Sequence, residues 1–252
     1  MAVSTRVDGP LLIITIDRAA VRNAVNLAVA QGMVAALAEL DRRSDLRVGV
    51  LTGAGGNFCA GMDLKAFTQG ELPMIPGAGF AGIAEAPPRK PLIAAVEGFA
   101  LAGGFEIALA CDLIVASNTA RFGLPEVKRG LVAAAGGLLR LPRRLSYHLA
   151  MELALTGRHM TAQEARENGL LNRLVEPGQA LATACELARE IAANAPLAVV
   201  ASKQLIARSH TWPEDQMFAL QKAIADPAVN SADAQEGALA FTEKRAPVWR
   251  GS

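Results

Sequence analysis

Apolar and polar positions fall into two kinds of stretch along this chain: short, nearly unbroken apolar runs, and longer segments of helical pattern. LLIITID, Leu11 to Asp17, follows an Asp-Gly-Pro turn and is rich in β-branched residues, which predicts a strand. Asn26 to Leu40 has helical composition and ends in polar DRRSD. RVGVLTG, Arg47 to Gly53, is a buried strand running into glycines; KPLIAAVEG, Lys90 to Gly98, and DLIVAS, Asp112 to Ser117, are further strands. ARFGLPEVKRG continues as an extended segment and turn. Gly70 to Pro88, rich in Gly and Pro, reads as a mobile loop with one short helix.

From about Leu138 the pattern becomes helical. Thr161-Ala162-Gln163-Glu164 is a capping box, and Gly169 suits the end of the helix it starts. Ala180 to Ala195 is a long helix, Pro196 fits the first turn of the next, and Ser231 to Arg245 is a final amphipathic helix. Strands and helices alternate first and helices follow, which predicts an α/β core with a helical C-terminal part. No internal repeat is visible in the sequence.

Composition narrows the function. The chain has 252 residues and is 52% hydrophobic, a share that points to a large core or to subunit interfaces. No apolar run is long enough to span a bilayer, and no basic segment with an apolar core opens the chain, so no membrane association and a cytoplasmic location are expected. Net charge is +1 with scattered basic residues, Arg140, Arg143 and Arg144 being the densest group. Neither that field nor 4% aromatics suits nucleic-acid binding. Cys59, Cys111 and Cys185 form no CxxC pair and read as reduced thiols. His148, His159 and His210 have no metal-ligand spacing, and no metal site is expected.

The candidate chemistry starts from ALAGGFEIALACD, Ala100 to Asp112. A carboxylate in so apolar a run is costly unless it is paired, neutralised or used. The strand before it stops at Gly98, and a helix is expected to begin near Gly103-Gly104. Free N–H groups at such a start favour developing negative charge, although the glycines could equally serve close helix packing. Glu106 in the first turn could answer the helix dipole alone. Glu126, twenty residues on, offers a second carboxylate, and two over one pocket can divide acid and base roles. A further glycine-rich break, Gly55 to Lys65, follows an earlier strand. If both strands end side by side, one N–H from each turn converges on one oxygen. Gly77 to Gly82 matches GxGxxG but lacks the preceding strand that a dinucleotide site needs. No Walker A or GxSxG motif occurs.

These residues resemble the crotonase, or enoyl-CoA hydratase/isomerase, superfamily. FCAGMDLK is similar to its F-x-A-G-x-D-[LI]-K segment, and IAAVEGFALAGGFEIALACDLIVAS to the segment carrying its glycine triplet and first glutamate. FGLPEVKRGL, LTGRHMTAQEARENGLLNRLV, FTEKR and IDRAAVRNAV match in order and spacing. The resemblance covers essentially the whole chain. It implies a spiral of ββα units over residues 1–195 with an α-helical trimerisation region at 196–252, as a homotrimer or homohexamer. It implies an acyl-CoA thioester as substrate, with CoA part of the substrate and no separate cofactor. Oxyanion donors fall on the backbone N–H groups of Met62 and Gly103, and the acid/base pair on Glu106 and Glu126. CoA contacts fall on Ala20, Arg22 and Ala24 and on Ala60, Asp63, Leu64 and Lys65; Arg22 and Lys65 are phosphate partners or ordinary solvated charges.

The implied reaction is addition of water across the 2,3 double bond of a trans-2-enoyl-CoA. Two departures bear on it. The glycine triplet reads Ala102-Gly103-Gly104, an exchange expected to change little. The segment after Glu126 lacks the family's proline and reads Gly130 to Gly137 with three consecutive alanines, Ala133 to Ala135, which leaves the acyl preference open. GFAGIAE and EGALAFTEKRAPVWRG look most similar to carnitinyl-CoA dehydratases, the first alternative. An enoyl-CoA isomerase is the second, and a non-catalytic acyl-CoA binder the third.

Overall fold

The computed structural model describes residues 2–252. Its strands are β1 (Val3–Asp8), β2 (Leu11–Ile16), β3 (Val48–Gly53), β4 (Met74–Ile75), β5 (Gly79–Phe80), β6 (Leu92–Val96), β7 (Phe99–Leu101), β8 (Leu113–Ser117), β9 (Arg121–Gly123), β10 (Met160–Thr161) and β11 (Arg173–Val175). Its helices are α1 (Leu27–Arg42), α2 (Leu64–Thr68), α3 (Gly103–Ala110), α4 (Gly137–Arg140), α5 (Tyr147–Thr156), α6 (Ala162–Glu167), α7 (Ala180–Ala192), α8 (Pro196–Arg208), α9 (Met217–Val229) and α10 (Ala232–Glu243). The main sheet has the order β1-β2-β3-β6-β8-β11, with β1 antiparallel to β2 and every other pair parallel.

A second, smaller sheet has the order β10-β9-β7. Single bridges, Cys59 to Ala100 and Val25 to Met62, carry the same layer further. The chain therefore makes the same excursion three times. β3 leads to Cys59 and then α2; β6 leads to β7 and then α3; β8 leads to β9 and then a short 3-10 helix, Pro125–Arg129. Each pass lies beside the previous one in both sheets, which is the ββα spiral expected from the resemblance. The repeat is geometric, and the three passes share no sequence pattern.

Both faces of the main sheet are covered, which is why its strands read as unbroken apolar runs. One face packs with α1, α3 and the smaller sheet around the fully buried Phe58, Phe105 and Phe122. The rings of Phe105 and Phe122 are 5.4 Å apart. The other face sets Leu11, Ile13, Val50, Ile93 and Val115 against α7, whose Ala180, Ala184 and Ala188 let the helix lie close.

The expected helix starts are present. Asn26 accepts from Val29 N at 3.2 Å, Thr161 from Glu164 N at 3.1 Å and Ser231 from Ala234 N at 3.1 Å. The Glu164 side chain does not complete the capping box, because it pairs with Arg158. One expectation fails. Residues 70–88 contain no helix; β4 and β5 form a hairpin there, anchored by the buried Phe80, and the short helix lies upstream at α2, capped by Asp63. That hairpin also holds the GxGxxG match, with Gly77, Gly79 and Gly82 at positive φ in turns. β1 was hidden because it is a polar edge strand, with only Val3 buried. No helix among the described residues is long and apolar enough to cross a membrane.

The loop before α1 is fixed to the turn after β3 by one buried side chain. Asn23, at φ 58°, accepts from Arg18 N at 2.9 Å and donates to the carbonyls of Ala54 and Asn57 at 2.8 and 2.7 Å. Asparagine tolerates the left-handed conformation and uses its whole amide here. Asn23→Ala should lower stability by about 2–4 kcal/mol, because it strands buried polar groups on two loops. Urea denaturation of both proteins measures this.

Candidate active site

Two backbone turns meet in front of a cavity of about 1030 Å³. The first is Cys59 to Asp63. Gly61 has φ 100°, and a Cβ on it would lie 2.8 Å from Ala102 Cβ and 3.1 Å from Gly103 N. The second is the start of α3. Gly104 packs so closely on the Cys59 carbonyl that any side chain there would collide with it, and Gly103 packs against the Phe80 ring. The glycine pair therefore serves close packing, and that packing brings Met62 beside Gly103. The N–H groups of Met62 and Gly103 have no acceptor among the described residues, so both are available to an oxygen placed between them.

Ala102 is the residue that turns the chain into α3, at φ 52° and ψ −130°. This region is nearly closed to residues with a Cβ. The alanine therefore carries a backbone conformation that residues with a Cβ seldom adopt. It is held by its N–H on the Gly123 carbonyl at 2.8 Å and by its own carbonyl, which accepts from Phe105 and Glu106.

Glu106 is 4% exposed. Its Oε1 accepts from Ala135 N and Gly137 N, both at 2.8 Å, while Oε2 accepts nothing from the protein. Gly137 must lack a side chain, since a Cβ would stand 2.9 Å from that same Oε1. Burial raises the pKa of Glu106, and the two N–H donors and the charge of Arg140 work against that rise. Glu126 lies in the 3-10 helix after β9, and its Oε2 is buried without any hydrogen-bond partner. Burial first, and the charge of Glu106 after it, push its carboxyl up to about 7.

Both glutamates line the cavity, as do Met62, Gly103, Arg22, Ala60 and Leu64. Four expected contact residues do not. Ala20 is exposed on a 3-10 turn, Ala24 is buried, and Lys65 is exposed on α2. Asp63 caps α2 and pairs with Arg18 at 3.0 Å, so its carboxylate is already engaged. Arg22 stacks over the Phe99 ring, 5.5 Å from its centroid, at the cavity edge. Sequence reasoning missed the donors Ala135 and Gly137. The Gly136-Gly137 pair was their visible signal. Among the described residues no group of three His, Cys, Asp or Glu side chains is placed to hold a metal ion.

A sequence profile described as enoyl-CoA hydratase/isomerase matches residues 7–252. The chain belongs to this family. It is 46% identical over 250 residues to the enoyl-CoA hydratase EchA19 of Mycobacterium tuberculosis, covering 95% of this chain and 92% of that one. It is 44% identical to a carnitinyl-CoA dehydratase of Salmonella arizonae, covering 97% and 96%. A crystal structure of an enoyl-CoA hydratase from M. tuberculosis superposes with a TM-score of 0.98 at 56% identity, covering 100% of this chain and 99% of that one. The fold is therefore the crotonase fold, and the family reading made from the motifs holds.

The buried carboxyl of Glu126 has a consequence for stability. Its pKa in the folded protein, about 7, lies above the ordinary 4.5, so the folded state binds the extra proton. Its contribution is fully present below the ordinary value and is lost as pH rises through 7. Glu126→Gln should therefore raise Tm above that of the parent at pH 8 by several degrees. The gain should vanish near pH 4.5, which melting curves across that range would show.

Proposed function

We propose that this enzyme is a hydro-lyase that adds water across the 2,3 double bond of a trans-2-enoyl-CoA. The observation that carries this reading is the pair of glutamates, Glu106 buried and Glu126 half-buried, facing one cavity beside two unengaged N–H groups. Isomerisation needs one carboxylate to carry a proton between carbons; adding water needs groups for the nucleophile and for C2 together.

The two environments divide the work. Burial raises the pKa of the Glu106 carboxyl as well, but its two N–H donors and the charge of Arg140 oppose that rise. Glu126 has an oxygen with no partner and a pKa of about 7, which favours its acid. Glu106 then takes a proton from water as the hydroxyl oxygen bonds to C3. The thioester oxygen gathers enolate charge between the N–H groups of Met62 and Gly103. C2 takes the proton from Glu126, and proton exchange resets the pair. The charged Arg22 at the cavity edge, stacked on Phe99, supports a contact to the phosphates of CoA. CoA enters as part of the substrate, with no separate cofactor.

A second reading has one observation in its favour. Glu85 lines the same cavity near Phe80, and a carboxylate with an aromatic face suits a trimethylammonium acyl group. Carnitinyl-CoA dehydration would then be the reaction. The exposed apolar side chains of the helical region, Ile206, Phe218 and Phe241 among them, support its use in self-assembly as a trimer or a pair of trimers. The cytoplasm is the location that fits a CoA-dependent enzyme with reduced cysteines.

The test is loss of the conjugated thioester absorbance with short and long trans-2-enoyl-CoA and with crotonobetainyl-CoA. Turnover of the simple thioesters is expected. Glu106→Gln and Glu126→Gln should each lower kcat by at least about 10²-fold while still binding a saturated acyl-CoA. Turnover of crotonobetainyl-CoA alone would favour the second reading, and a shifted alkene as product would indicate isomerisation.

A further inference from the structure

Among the basic side chains that line the cavity, Arg22, Lys128, Arg129, Arg140 and Arg143, Arg140 is the one whose charge acts on Glu106. It ends α4, the short helix whose first residue, Gly137, donates to Glu106. Its guanidinium lies across the back of that clamp. Nη2 donates to the Ala84 carbonyl at 2.6 Å, and Nη1 to the Ala135 carbonyl at 3.4 Å. Gly136, at φ 93°, lies directly under Nη1, where a Cβ would collide with it. No carboxylate lies within ion-pairing distance of the guanidinium among the described residues. A half-buried arginine held only by neutral carbonyls keeps its whole charge for its surroundings. We infer that Arg140 is a positioning residue for Glu106: it fastens the Ala135–Gly137 clamp to the segment after β5 and directs an uncompensated positive charge at the Glu106 carboxylate.

This inference rests on Glu106 acting as the base. The groups facing Glu106 are few. Arg140 approaches from α4 and Glu126 from the 3-10 helix, and Arg129 faces Glu126 in turn. The burial of Arg140 weakens its hold on its own proton, and the field of Glu106 opposes that, so each group favours the other's charge. Phosphate binding by Arg140 fits the geometry less well. Two of its N–H groups are already spent on backbone carbonyls, and it lies against the clamp that holds the proposed base, Glu106.

The experiment follows kcat and KM for crotonyl-CoA between pH 5 and 9, for the parent and for Arg140→Gln, Arg140→Lys, Gly136→Ala and Glu106→Gln. Activity must rise with pH as Glu106 ionises. Removing the positive charge makes ionisation harder, so the rising limb should move to higher pH. In Arg140→Gln it should move by about one unit. kcat at pH 7 should fall about 10-fold or more, with KM changed less than about 3-fold. Arg140→Lys should keep the limb near its original position. Gly136→Ala pushes the guanidinium aside without removing it and should move the limb in the same direction as Gln. This second variant decides the matter if Arg140→Gln does not fold.

A limb unmoved in both Gln and Gly136→Ala would overturn the inference, as would a loss carried mainly by KM. Equal profiles for Gln and Lys would reduce Arg140 to a neutral bridge and overturn it too. Glu106→Gln separates the two levels of the argument. If it still turns over crotonyl-CoA, Glu106 is not the base and the proposed function itself fails. If it is inactive while the Arg140 variants keep the parent's limb, only the inference about Arg140 fails.

Discussion

The first turn of α3 lies on the Cys59 carbonyl with no side chain between them, and the rest of the site follows from that contact. Gly104 permits it from one side and Gly61 from the other. The approach puts the N–H groups of Met62 and Gly103 side by side and fixes the depth at which Glu106 enters the cavity. It also requires Ala102 to take a backbone conformation that residues with a Cβ avoid. That strain, on the order of 1–3 kcal/mol, is sustained by the hydrogen bonds on both sides of Ala102 and by the packing of Phe105 behind it. A looser junction would separate the two donors, and donors that miss a developing charge by an ångström stabilise it far less.

The spiral supplies this junction from ordinary parts. Parallel strands end at one edge of a sheet, so the loops leaving β3, β6 and β8 emerge side by side. The first brings Met62, the second Gly103 and Glu106, the third Glu126. Chemistry spread over more than sixty residues of sequence is collected by three passes of one geometric unit. The clamp on Glu106 comes from the next segment, Ala135 to Gly137, which closes the cavity over the third pass.

How legible this was depended on how local each signal is. The buried strands were readable because both sheet faces are covered, leaving their apolar runs unbroken. Helix starts at Asn26, Thr161 and Ser231 were readable because capping is a contact across three residues. β1 and the β4–β5 hairpin were not: a polar edge strand carries no alternation, and Gly-Pro-rich sequence conceals a hairpin whose stability comes from Phe80 in the distant core. Glu106 was visible as an acid in apolar company and Glu126 as a second carboxylate twenty residues on, and the resemblance to the family's motifs paired them. The two N–H donors of the clamp and the place of Arg140 were not visible, because backbone groups leave no residue-type signal and the contact spans about thirty residues.

The charges inside the cavity explain why two such similar side chains can coexist there. On the proposed mechanism, two ionised glutamates facing one cavity would repel the negative charge that develops on the thioester oxygen. With Glu126 protonated, that repulsion is left to Glu106 alone, whose charge Arg140 opposes. The buried, partnerless oxygen of Glu126 favours that proton up to about pH 7. In the proposed reaction, the same desolvation that makes Glu126 costly to the fold suits it to act as the acid. A hydrogen-bond donor placed on Glu126 would improve packing and favour the carboxylate, and the site would lose its proton source and its electrostatic balance together.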